Sequence, residues 1–302
     1  MRNAPEPSKP ATSAQVILLR TSQYALSGRK ALPGPRVGGD IPLIVAIPGG
    51  SYTSAYFDVP DYSLMQRSAA LQIPIMALDR PGYGESTPFP PPRATIISNA
   101  ERLDDAIGRI WESLEIRPAG VVLIGHSIGG AIALSIAARR PGWPLLGVAV
   151  SGVGLTPPPG SAAAWAAIPD GPLIDVPLAA KDAAMFGPSW TIGADMPGGS
   201  RLADAPAPRA EVVDMNTGWP GRLREVAARI VVPVHYRQGE FDRLWITNQD
   251  EIDTFARAFT AAPTIDAGLY PSAGHCIDLH LLGAAFQLEQ LAFALRCSVR
   301  RK

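Results

Sequence analysis

Val121-Val122-Leu123-Ile124-Gly125-His126-Ser127-Ile128-Gly129-Gly130-Ala131-Ile132-Ala133-Leu134-Ser135-Ile136-Ala137-Ala138 is the stretch on which the reading of this chain turns. Its opening run is short, rich in β-branched residues and stopped by a glycine, the pattern of a buried strand. From Gly130 the chain is alanine-rich and apolar enough to cover a helix all round, so a buried helix is expected there. Strand, tight turn and helix place Ser127 at the tip of the turn. The turn forces that serine into a strained conformation, and side chains at Gly125 or Gly129 would clash with it. Ser127 is therefore expected at the mouth of a sheet, its hydroxyl exposed above a helix N-terminus, as a candidate nucleophile.

The pattern around this stretch is that of an α/β protein. Continuous apolar runs at Pro42–Pro48, Ile73–Leu78, Leu145–Ser151, Ile230–Arg237 and Thr264–Tyr270 read as strands, most of them buried on both faces. Gln15–Arg20 and Gln23–Leu26 read as two short strands joined by a turn. Helical spacing occupies Asp61–Leu71, Ala94–Leu114, Asn248–Ala261 and Leu279–Arg296. Strands alternating with helices predict a mostly parallel central sheet flanked by helices, with right-handed crossovers. Residues 156–221 break the alternation: they are dense in Pro, Gly and Ala, with Trp165, Phe186, Trp190 and Trp219 scattered among them. They read as an inserted cap over the strand ends, leaving 15–155 and 222–302 as the core domain. The proline-rich residues 1–14 are expected to be a disordered tail.

Composition narrows the partners. The 302 residues are 47% hydrophobic and 18% charged, with 27 Lys plus Arg balanced by 27 Asp plus Glu. A net charge of zero offers no basic surface for nucleic acid. Two cysteines, Cys276 and Cys297, do not make a disulfide framework and fit a reducing compartment. The N-terminus has no apolar core of a secretory signal, and no apolar run reaches the ~18 residues of a membrane span. A cytoplasmic protein acting on a small molecule is expected. A homodimer stays open, because an apolar cap surface would serve a second copy as well as a substrate.

A serine hydroxyl needs a base to take its proton. Of the four histidines, His126 is expected to point away from the turn, and His235 reads as a satisfied core residue inside a strand. His275, in the loop Ser272-Ala273-Gly274-His275 after a buried strand, has the address of a general base, with His280 at the start of the last helix as its rival. The base needs a carboxylate to hold its tautomer. Asp242 lies in another post-strand loop at the same sheet edge. Glu240 and Asp214 are alternatives, and Asp278 reads as the N-cap of the final helix. The order Ser127, Asp242, His275 is serine, acid, histidine. An oxyanion would take one N–H from Ile128 and a second from the loop Pro48-Gly49-Gly50-Ser51-Tyr52, with Gly50 preferred and Ser51 the rival.

Across nearly its whole length the chain resembles the α/β-hydrolase superfamily, serine-nucleophile branch. Gly49-Gly50 matches the family's oxyanion loop, although Pro48 stands where many members have histidine. Asp79-Arg80-Pro81-Gly82-Tyr83-Gly84-Glu85-Ser86 resembles its Asp-x-Pro-Gly-x-Gly-x-Ser turn, and Gly125–Gly130, Asp242 and Gly274-His275 resemble its elbow, acid and base. The resemblance implies a triad of Ser127, Asp242 and His275 and an acyl-serine route through a carboxylic ester of a small, fairly apolar substrate. Haloalkane dehalogenases and epoxide hydrolases share the layout but carry aspartate at the elbow. Thioester, lactone, amide or carbon–carbon hydrolysis, a lyase reaction, and a slow-hydrolysing ligand receptor remain alternatives. No metal-ligand spacing or phosphate loop is present, so no cofactor is expected. Ser51, Tyr52, Trp165, Phe186 and Trp190 are candidate substrate-binding residues.

Overall fold

The computed structural model describes residues 14–32, 39–115, 117–168 and 170–299. The residues that read as apolar runs build one eight-stranded sheet. Its strands are β1 (Gln15–Arg20), β2 (Ala25–Ala31), β3 (Leu43–Ile47), β4 (Ile75–Leu78), β5 (Val121–His126), β6 (Leu145–Ser151), β9 (Val234–Gly239) and β10 (Ile265–Tyr270). A second, two-stranded sheet pairs β7 (Leu173–Ile174) with β8 (Ala207–Pro208). The order in the large sheet is β1-β2-β4-β3-β5-β6-β9-β10, with β2 antiparallel to both neighbours and every other pair parallel.

Period-two burial sorts each strand's side chains between two layers. Leu43, Val45 and Ile47 share a core with α2 (Ile96–Ser113) and α3 (Ile128–Arg139), while Ile44 and Ala46 share another with α1 (Leu64–Ala70) and α9 (Gly283–Ser298). Local chemistry sets the helix starts. In α2 the Thr95 hydroxyl accepts from Ser98 N–H at 3.2 Å and the Ser98 hydroxyl accepts from Thr95 N–H at 2.9 Å, a capping box. Asn248 caps α8 (Gln249–Arg257) through Glu251 N–H at 2.9 Å.

Between β6 and β9, which are adjacent in the sheet, residues 152–233 leave it altogether. This excursion holds α4 (Ser161–Ala166), β7, α5 (Leu178–Met185), β8, α6 (Arg209–Thr217) and α7 (Trp219–Ala228). The expected junction at 221/222 falls inside α7. Residues 1–13 and 300–302, and the side chain of Trp165, lie outside the described residues. Among the described residues no helix is long and apolar enough to cross a membrane.

The end of the chain departs from expectation. The last helix begins at Gly283, preceded by a short 3-10 turn over Ile277–Leu279, so His280 lies in the connection and does not open the helix. Asp278 caps nothing there: its carboxylate accepts from Tyr56 Oη at 3.1 Å and Gln287 Nε2 at 3.0 Å. His235 is buried but unsatisfied, with neither ring nitrogen hydrogen-bonded among the described residues.

Candidate active site

Ser127 has φ 55° and ψ −123°, outside the regions that L-residues prefer, between the end of β5 and the start of α3. Hydrogen bonds over-determine it: its N–H donates to Ser151 O at 2.7 Å, and its carbonyl accepts from Gly130 N–H at 2.8 Å. A Cβ on Gly129 would lie 2.1 Å from Ile47 O, and one on Gly125 would lie 2.5 Å from Gly129 O. Both obstacles are backbone, so neither can swing aside. Gly129→Ala should therefore destabilise the fold by about 2 kcal/mol or more, the scale of an overpacked core. Urea unfolding of the purified variant measures it, and a midpoint equal to wild type would contradict the crowding. Ser127 itself is buried, with 8% of its surface exposed, because the 49–50 loop packs on it: a Cβ on Gly49 would lie 3.0 Å from Ser127 Cβ.

Asp242 follows β9 and His275 follows β10, and the parallel pairing of these strands brings their loops to one edge. Asp242 Oδ2 and His275 Nδ1 are 2.7 Å apart. The carboxylate also accepts from Leu244 N–H at 2.8 Å and from Gln238 Nε2. An ionised carboxylate only accepts, which makes Nδ1 the donor and leaves the lone pair of His275 on Nε2. That atom is buried and has no hydrogen-bond partner among the described residues. The structure thus joins Asp242 to His275 directly, and leaves Ser127 and Nε2 without a hydrogen bond between them. Glu240 accepts from Ser272 N–H at 2.9 Å, and Asp214 accepts from Ile96 N–H at 2.8 Å at the start of α2. Among the described residues neither is hydrogen-bonded to His275.

The Gly50 backbone packs against the Ile128 side chain, since a Cβ on Gly50 would lie 2.8 Å from Ile128 Cδ1. Among the described residues neither N–H is spent on a backbone acceptor. Ser51 differs: its N–H donates to Tyr83 Oη at 3.3 Å, and its carbonyl accepts from Lys181 Nζ at 2.8 Å. Tyr52 is buried beneath that lysine, whose Nζ lies 3.9 Å from the ring centroid. Phe186 is buried against His280, with ring centroids 5.7 Å apart. Trp190 is 62% exposed and packs edge-on against Phe241. A cleft of about 810 Å³ lies elsewhere, between the 81–95 loop and α6, lined by Gly82, Phe89, Pro208 and Val213; it includes none of Ser127, Asp242 and His275.

Sequence reasoning missed a buried polar cluster behind His275. The His126 ring does not turn away from the site: it stacks on Tyr56 and lies 4.8 Å, centroid to centroid, from His275. Burial, followed by the neighbouring His275, holds it well below the ordinary histidine value. Burial also pushes the Cys276 thiol up to about 12, so it is no thiolate at neutral pH. His280, the rival base, is occupied elsewhere. Its Nε2 accepts from Gly274 N–H at 2.9 Å and Gly187 N–H at 3.1 Å, and its Nδ1 donates to Cys276 O at 2.8 Å. It ties the loop on both sides of His275 to the excursion. Spacing alone gave no signal of this role.

These buried groups make stability depend on pH. Burial lowers both His280 and His235 to about 4 from 6.5, so each takes up a proton on unfolding below pH 6.5. Stability contributed by such groups is complete above 6.5 and is lost as pH falls toward 4. Asp278, raised to about 6 from 3.8 by burial, opposes this over most of the window, below about pH 6. Acidification from 6.5 should therefore destabilise the fold on balance. In His280→Gln the slope of unfolding free energy with pH should be smaller by up to about 1.4 kcal/mol per pH unit. Urea melts across pH 4–6.5 read it, and an unchanged slope would show that His280 does not titrate as described.

The sheet order and flanking helices are those of an α/β hydrolase. The chain belongs to the alpha/beta hydrolase family, whose sequence pattern matches residues 44–285. It is 28% identical over 116 residues to protein phosphatase methylesterase 1 of Pongo abelii, a stretch covering 38% of this chain and 28% of that protein. Solved structures of similar fold include a soluble variant of monoglyceride lipase from Saccharomyces cerevisiae (TM-score 0.71, 16% identity, 98% of this chain and 100% of that one). A thermophilic esterase from Thermogutta terrifontis (0.69, 17%, 95% and 100%) and the N-acyl homoserine lactonase AidH (0.68, 20%, 96% and 99%) are also similar.

Proposed function

We propose that this protein is a serine hydrolase that cleaves a carboxylic ester of a small, fairly apolar substrate through an acyl-serine intermediate. The observation that carries the reading is the Asp242–His275 contact, which leaves a buried Nε2 lone pair with no hydrogen-bond partner among the described residues. Nε2 takes the Ser127 proton as Oγ attacks the carbonyl carbon, and Asp242 stabilises the imidazolium. The N–H groups of Gly50 and Ile128 receive the developing oxyanion. The imidazolium then gives its proton to the leaving alcohol, and a water deprotonated by His275 releases the acid and restores Ser127. A lactone would open by the same steps, its alkoxide remaining attached.

The excursion, 156–221 at its centre, acts as the cap over this site. Met185 O accepts from Cys276 N–H at 2.9 Å, and Gly187 packs against Gly274, so it covers the loop carrying His275. The names of the similar proteins (methylesterase, esterase, lactonase, lipase) agree with ester chemistry. The test is hydrolysis of p-nitrophenyl esters from acetate to decanoate, with fluorophosphonate labelling mapped by mass spectrometry. Turnover with a chain-length optimum and a label on Ser127 are expected. Turnover with the label elsewhere, or neither turnover nor label, would overturn the assignment.

A further inference from the structure

The turn Asp79–Ser86 is bonded on one side to Ser27 of β2 and on the other, through Arg80 and Tyr83, to the loop that carries Gly50. Arg80 is fully buried; its Nη1 donates to the carbonyl oxygens of Pro48 and, at 3.1 Å, Gly49. Its other edge meets Glu211 of α6, Nη2 to Oε1 at 2.9 Å and Nε to Oε2 at 3.4 Å, with both side chains at 0% exposure. Tyr83 Oη donates to the same carboxylate and accepts from Ser51 N–H, and Asp79 Oδ1 accepts from Ser54 N–H at 2.5 Å. Two consecutive carbonyls are thus drawn toward one guanidinium. A peptide plane is rigid, so holding the Gly49 carbonyl fixes the direction of the Gly50 N–H in the same plane.

We propose that Arg80 and Glu211 form one positioning unit for the oxyanion site, with Glu211 making the direction of the Gly50 N–H depend on the seating of the excursion. The inference rests on the serine-hydrolase reading above. Neither residue touches the substrate. The guanidinium aims the donor, and the carboxylate neutralises and orients the guanidinium from the covering segment. An oxyanion donor acts in the transition state, so misdirecting it lowers kcat and leaves KM nearly unchanged.

Removing either charge alone leaves the other buried and unpaired, which threatens folding. Two variants avoid this: Arg80→Lys, which keeps the ion pair but loses the fork, and the double variant Arg80→Met/Glu211→Met, which replaces the pair with apolar groups of similar length. Turnover of p-nitrophenyl acetate is measured per folded molecule, alongside the affinity of phenylboronic acid, whose tetrahedral serine adduct mimics the intermediate. We expect kcat to fall about tenfold in the lysine variant and on the order of 100-fold in the double variant, the scale of a misplaced reacting geometry. KM should stay within about threefold, and boronate affinity should fall in parallel with kcat. Folded variants with wild-type kcat, or a loss confined to KM, would overturn the proposal. Wild-type protein lacking both ester turnover and boronate binding would instead remove the hydrolase reading on which it stands.

Discussion

Ser127→Ala should lower turnover of p-nitrophenyl acetate by at least about 10⁴-fold, down to whatever the remaining groups provide, because the hydroxyl proposed to form the acyl intermediate is gone. Burial keeps the Cys276 thiol protonated, with its value pushed up to about 12. The substitution removes one oxygen from a residue whose backbone bonds run through its N–H and carbonyl, so the turn and the fold should survive. Circular dichroism and an unfolding midpoint close to wild type would accompany the loss. A folded alanine variant that hydrolyses the ester at the wild-type rate would show that Ser127 is not the nucleophile.

Asp242→Asn should cost about 10⁴-fold in kcat with the fold retained, through the tautomer of His275. The carboxylate accepts from three donors: His275 Nδ1–H, Leu244 N–H and Gln238 Nε2. Asparagine has one carbonyl oxygen and one amino group for the same positions. If its oxygen stays with Leu244, its amino group faces Nδ1 and turns that nitrogen into an acceptor. Nε2 then carries the hydrogen and cannot take a proton from Ser127. Activity should recover in part at higher pH only if another base replaces His275, so a flat, low profile between pH 6 and 9 is expected. Wild-type kcat in the variant would detach Asp242 from the reaction and reopen the choice of acid.

Much of the fold was legible because burial on both faces of a parallel strand leaves a continuous apolar run. Pro42–Pro48 and Leu145–Ser151 were found within a residue or two of β3 and β6. The errors gather where short-range signals compete. Asp278 sits where an N-cap would stand, yet a 3-10 turn intervenes before α9, and the carboxyl goes to Tyr56 and Gln287 instead. Cap spacing cannot register partners 222 residues away in sequence. His126 was misjudged for a related reason. Alternation sends the residue before the elbow serine away from the tip, but the rings of Tyr56 and His275 arrive there from other segments.

The sequence by itself determined the sheet-and-helix alternation, the elbow at Ser127 and the family, because these follow from local periodicity and from close backbone approaches at Gly125 and Gly129 that leave no room for a side chain. It also suggests the proposed order Ser127, Asp242, His275, since post-strand loops of a parallel sheet open at one edge. Only the tertiary structure decided how those loops are held. Arg80 meets Glu211 across 131 residues, and His280 reaches Gly187 across 93. Buried charges and buried ring nitrogens must find partners once water is excluded, and packing alone selects which partners those are.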